Sequence, residues 1–189
     1  MKLVIIDYGA GNARSVKFAF QRLGIHPVLS GDKEEILSAD KVVLPGVGHA
    51  KPAMEVLKNK GLDILIPQLK QPVLGICLGM QLMCRYSEEG NTDCLNILDA
   101  EVKLFEPKLK VPHVGWNQTT GEWLSTGNNS WYYFVHSYYV PKNKYTTLTC
   151  DYINGFSAAI QKDNFYAVQF HPEKSGPAGE ALLKNFIAA

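Results

Sequence analysis

The chain has 189 residues, 46% hydrophobic and 20% charged, with a formal net charge of +1. That length suits one domain with a full core, and the composition is ordinary for a soluble globular protein. The charge gives no reason to expect nucleic acid or an acidic membrane as partner, and no apolar run approaches the roughly 20 residues of a membrane span.

The opening MKLVIIDYGAGN has no long apolar h-region and no small-residue cleavage site, so it reads as a first strand rather than a signal peptide. Leu3 to Ile6 is the short apolar run of a strand buried on both faces, followed by the loop Asp7 to Asn12. Gly9-Ala10-Gly11 begins a dinucleotide-type pattern, but Arg14 stands where a third small residue is needed. Ser15 to Leu23 carries a helical apolar stripe closed by Gly24. Pro27 to Ser30 is a second strand, Lys33 to Leu37 a short helix, and Lys41 to Leu44 a third buried strand running into the loop Pro45-Gly46-Val47-Gly48. Pro52 to Lys60 is helical in pattern, as is Ile64 to Leu69, which Pro67 interrupts.

Val73 to Ile76 then ends abruptly at Cys77, with Gly75 and Gly79 on either side and a helix-like segment over Met80 to Tyr86. Strand, tight turn and helix with a nucleophile at the turn make a nucleophile elbow. Up to Glu88 this alternation predicts an α/β fold with a parallel sheet covered on both faces. Beyond Gly90 the texture changes to β-type runs: Lys110 to Asn117, Ser130 to Val140, Tyr145 to Tyr152, Ser157 to Gln161 and Asn164 to Phe170, with a turn at Asn154-Gly155. Gly179 to Phe186 closes the chain as a helix. No repeat, low-complexity tract or linker interrupts residues 1–189, which read as one domain.

The four cysteines, Cys77, Cys84, Cys94 and Cys150, include no C-x-x-C pair, so neither a zinc site nor a disulfide framework is expected. Free thiols fit a reducing cytoplasm. Cys77 is either a buried core cysteine or a reactive thiolate; the helix N-terminus and a nearby histidine would both favour the anion, and glycines at 75 and 79 favour an exposed elbow. Of the five histidines, only His171 follows an apolar strand with a carboxylate, Glu173, two residues on. Extended backbone would put both on one side, the base and orienter of a triad; the bland alternative is a turn histidine beside a surface glutamate. The backbone N–H of Leu78 and the Pro45–Gly48 loop would supply an oxyanion hole, unless that loop is an ordinary left-handed turn.

Gly75-Ile76-Cys77-Leu78-Gly79-Met80-Gln81, Pro45-Gly46-Val47-Gly48 and His171-Pro172-Glu173 resemble the three signatures of the class I (triad) glutamine amidotransferases in order and spacing. Asp7 to Asn12, Val111 to Asn117 and Phe134 to Tyr138 are similar to the glutaminase subunits of imidazole glycerol phosphate synthases, although Val114 stands where methionine is common. The resemblance implies a flavodoxin-like three-layer α/β sandwich with extra antiparallel strands in the C-terminal half. It implies Cys77, His171 and Glu173 as catalytic residues and Val47, Gly48 and Leu78 as the oxyanion hole. It implies Gly46, Gln81, Ser137 and Tyr138 as the glutamine site, and no metal or cofactor. Ammonia would pass to a separate (β/α)8 cyclase subunit, which Asn12, Trp116 and Lys174 would face, and Val47 would complete the oxyanion hole only once that partner binds. Three readings compete: a glutaminase serving another synthase, such as a sugar-amidating one; a cysteine peptidase on a similar fold; and a binding module with a relict site.

Overall fold

The computed structural model describes residues 1–9, 12–124 and 129–189. Ala10 and Gly11, part of the dinucleotide-type pattern and of the opening loop, lie outside the described residues. The first half alternates as expected: β1 (Leu3–Ile6), α1 (Ala13–Arg22), β2 (Val28–Ser30), α2 (Lys33–Leu37), β3 (Lys41–Gly46), α3 (Ala50–Asn59), α4 (Leu62–Leu65) with a 3-10 turn over Ile66–Gln68, β4 (Val73–Cys77) and α5 (Leu78–Leu82). Gly24 follows α1 at φ 78°, the left-handed position that ends a helix.

The second half is β5 (Cys84–Ser87), β6 (Thr92–Asp93), β7 (Leu98–Leu104), β8 (His113–Gly121), β9 (Trp131–His136), β10 (Tyr138–Tyr139), β11 (Thr146–Asp151), β12 (Gly155–Lys162), β13 (Phe165–Val168), a 3-10 turn at Pro172–Lys174 and α6 (Gly176–Ala188). Nine strands form one sheet in the order β2-β1-β3-β4-β13-β12-β11-β8-β9. The first five are parallel, in the flavodoxin-like order, and the rest are antiparallel. Alternate residues of the parallel strands face opposite layers: Leu3 and Ile5 pack with Phe20 of α1 and Phe186 of α6, whereas Val4 and Ile6 pack with Ile36, Leu57 and Leu62 of α2, α3 and α4. No helix among the described residues is long and apolar enough to cross a membrane.

Two expected elements differ. The helix over Met80 to Tyr86 stops at Leu82, and Cys84–Ser87 is strand β5 of a second, four-stranded sheet ordered β10-β7-β5-β6. Backbone bonds from Asn96 to Cys84 and from Cys94 to Arg85 claim groups a longer helix would have used. The run Ser130 to Val140 is not one strand either: β9 belongs to the large sheet, β10 to the small one, and Ser137 is the handover.

Candidate active site

Ladder register gathers the site. Gly46 at the end of β3 lies opposite Cys77 at the end of β4, and Val168 at the end of β13 pairs with Ile76. Three consecutive parallel strands therefore release their chain at one carboxyl edge, where sites of such sheets form. Pro45 and Gly46, expected in a loop, are still strand residues; the free loop begins at Val47.

Cys77 adopts φ 53° and ψ −108°, a strained conformation for a residue with a side chain. The glycines make it possible. A Cβ on Gly79 would fall on the Leu44 carbonyl oxygen, and one on Gly75 would meet the Gly79 carbonyl carbon at 2.9 Å. A Cβ on Gly46 would meet the Leu78 Cβ at 2.8 Å, so the end of β3 also packs against the elbow. The helix behind Cys77 spans only five residues.

His171 is 3% exposed and lines the same cavity as Cys77, and its Nδ1 lies 2.8 Å from Glu173 Oε1. Burial alone would lower the imidazole pKa. The interactions with Cys77 and Glu173 outweigh burial and raise it to about 10. The contact with Glu173 is not made by extended backbone: Pro172–Lys174 is a 3-10 turn, which folds the carboxylate back under the ring. Glu173 Oε2 is buried without a hydrogen-bond partner, and Asn12 Nδ2 is 3.5 Å from Oε1, so the imidazolium is the carboxylate's principal counter-charge. The His171 backbone is clamped to β9. Its N–H donates to the Tyr133 carbonyl at 2.9 Å, and Ser175 Oγ donates to the His171 carbonyl while accepting from the Tyr133 N–H.

A cavity of about 330 Å³ opens above the elbow. Cys77, Leu78, Val47, Gly48, Gln81, Ser137, Tyr138 and His171 all line it. Lys174 lines it as well, with its Nζ 6.0 Å from the centre of the Tyr133 ring. Glu173 stands behind His171, and Gly46 beneath the elbow. Trp116 lies outside the cavity, exposed on β8 and edge-on to Tyr133.

The sequence profile of the glutamine amidotransferase class-I family matches residues 4–189. The chain belongs to the class-I glutamine amidotransferases. Among curated proteins, this amidotransferase is 55% identical over 194 aligned residues to the imidazole glycerol phosphate synthase subunit HisH of Bacteroides fragilis (strain YCH46), covering 99% of both chains. It is 56% identical to the HisH of Bacteroides thetaiotaomicron and 50% identical to that of Escherichia coli (strain K12), again over 99% of each. Its fold is shared by a solved glutamine amidotransferase, with TM-score 0.79 and 17% identity over 98% of this chain and 97% of that one. PurLQS from Thermotoga maritima gives TM-score 0.74 and 16% identity over 99% and 97%.

The amidotransferase site also holds residues the sequence reading passed over. Gln169, fully buried two residues before His171, points its amide at Cys77 Sγ. Glu89 lines the cavity, accepts from the Ala50 N–H at 2.8 Å and meets the His49 ring at 3.0 Å. His113 and His136 form a buried pair with ring nitrogens 3.0 Å apart, and His136 Nδ1 donates to the Tyr138 carbonyl at 2.7 Å. Burial lowers both rings, His113 to about 4 and His136 to about 3, so both are neutral at pH 7. The spacing of Val111 to Asn117 and Phe134 to Tyr138 pairs His113 with His136 once β8 and β9 are recognised as neighbours.

Proposed function

We propose that this chain hydrolyses L-glutamine to glutamate and ammonia and delivers the ammonia to a separate (β/α)8 cyclase subunit of imidazole glycerol phosphate synthase in histidine biosynthesis. The observation that carries the chemistry is Cys77 and His171 lining one cavity, with Glu173 hydrogen-bonded to His171 Nδ1 behind it. Identity of 50–56% to HisH subunits supports the pathway.

In the first step the Cys77 thiolate attacks the side-chain amide carbon of glutamine. The oxyanion accepts hydrogen bonds from the Leu78 N–H and from the backbone of Val47 and Gly48. His171 gives its proton to the departing nitrogen, which leaves as ammonia, and a thioester remains on Cys77. His171 then takes a proton from water, hydroxide adds to the thioester, and glutamate leaves as the thiolate re-forms. Glu173 holds the ring in the orientation both transfers need. Gly46, Gln81 and the Ser137–Tyr138 backbone hold the substrate. Glu89, a carboxylate in the cavity wall, supplies a counter-charge for an α-ammonium group.

Gly48 at φ 97° and a 40% exposed Val47 support a loop whose peptide can turn when the partner arrives. Val114, Trp116 and Trp131 expose apolar surface on the edge hairpin beside the cavity, and this surface with Asn12 and Lys174 would face the cyclase. The working unit is then a cytoplasmic heterodimer in which residues 1–189 form one glutaminase domain.

The test is ammonia release from glutamine with and without the cyclase. Wild type is stimulated by the partner, and Cys77→Ala abolishes release in both conditions; substantial turnover by the variant contradicts the mechanism. Isolation of a sugar-amidating synthase as the bound partner would overturn the pathway.

A further inference from the structure

Gln169 has no assigned role, and its surroundings leave its amide one orientation. Gln81 has one terminal atom 3.0 Å from the Tyr138 carbonyl and 2.9 Å from the Gln169 amide. A carbonyl oxygen accepts only, so the Gln81 atom is its NH2 group, and the Gln169 atom it meets is an oxygen. The Gln169 NH2 group is thereby turned toward Cys77 Sγ, at 3.7 Å. The main chain of Gln169 is fixed too, with its N–H donating to the Ala158 carbonyl across β12.

The sulfur has an acceptor and an amide donor beside it, with His171 lining the same cavity. The Val135 carbonyl, 3.8 Å away, can receive a thiol proton and so favours the neutral form. His171 and the Gln169 amide favour the anion. A side chain that is 0% exposed and holds an N–H on the reacting atom is not explained by packing, since an apolar residue would fill the space without needing partners.

We propose that Gln169 is a catalytic residue: its amide N–H stabilises the Cys77 thiolate, and Gln81 holds that amide in the donating orientation. The assignment rests on Cys77 as the nucleophile. It also ties the substrate-holding residue to the nucleophile, because the Gln81 NH2 group bridges the Tyr138 carbonyl and the Gln169 oxygen.

The experiment follows alkylation of Cys77 by iodoacetamide against pH in the full chain, alone and with its cyclase, by mass spectrometry of the Cys77 peptide. Glutamine is absent, so substrate binding does not enter. Gln169→Met fills the space without a donor and raises the midpoint of the alkylation curve by about one pH unit, the size of one hydrogen bond to a charged group. Gln169→Glu keeps the acceptor for Gln81 and removes the donor; it raises the midpoint at least as far, and lowers kcat while leaving KM within about twofold. Either variant, folded by circular dichroism and with the wild-type midpoint, overturns the proposal, and Gln169→Glu decides the matter if Gln169→Met does not fold. Full turnover in Cys77→Ala would instead remove the nucleophile reading itself, a result separable from an unmoved alkylation curve.

Discussion

Acidification tests the buried imidazole pair. Burial holds His136 at about 3, whereas in an unfolded chain the same ring titrates near about 6.5. Below that value the unfolded state binds a proton the folded state refuses, so stability falls as pH falls. At about pH 5 the linkage amounts to about 2 kcal/mol, against almost nothing at about pH 7.5. The figure depends on the gap between the unfolded value and pH 5 and scarcely on how far below 5 the folded value lies. His113, lowered to about 4, acts in the same direction. His171 acts in the opposite one: its pKa is raised, so its contribution is complete below about 6.5 and is lost as pH climbs through about 10. Urea unfolding of wild type and His136→Gln at the two pH values isolates one ring, because titrations common to both chains cancel in the difference. A glutamine amide can still donate to the Tyr138 carbonyl. Wild type should lose about 2 kcal/mol more than the variant on going to about pH 5. Parallel losses in the two chains would refute a His136 that stays neutral.

Three further outcomes follow from the geometry. Gly79→Ala drives a methyl onto the Leu44 carbonyl oxygen; it costs about 1–3 kcal/mol in thermal unfolding, and by displacing the Leu78 N–H lowers kcat on the order of a hundredfold. Glu173→Gln removes an anion from His171 and lowers kcat by roughly a hundredfold or more, but less than Cys77→Ala, as steady-state glutaminase kinetics would read. Trp116→Ala, at a side chain 53% exposed, leaves unfolding within about 0.5 kcal/mol yet weakens cyclase affinity about tenfold or more by calorimetry.

The parallel half of the fold was legible because its strands are short apolar runs separated by helices and turn residues, and local pattern there agrees with tertiary position. Met80 to Tyr86 misled because residues that can extend a helix are claimed by Cys94, Asn96 and Leu98 from further along the chain, and single-sequence pattern cannot register such a partner. The small strands β6 and β7 went unread for the same reason. That Cys77 and His171 meet at one sheet edge with Glu173 beside the ring was legible from local context, though the His171–Glu173 contact is made by a 3-10 turn and not by extended backbone. Gln169 gave no such signal. A glutamine at a strand end is ordinary, and only burial beside Cys77 and Gln81 distinguishes it.

Cys77 ends one strand of the parallel core and His171 follows another, but His171 has a second anchor. Cys77 shares a rung with Gly46 inside the parallel core, so the elbow and the strand leading to Val47 are joined directly. His171, three residues past core strand β13, is tied to the edge hairpin as well, through Tyr133 and Ser175. Trp116 stands directly across the ladder from Tyr133, on a face open to a partner. A load on that hairpin would reach His171 through the Tyr133 and Ser175 hydrogen bonds, and the alignment of His171 with Cys77 is what it would adjust.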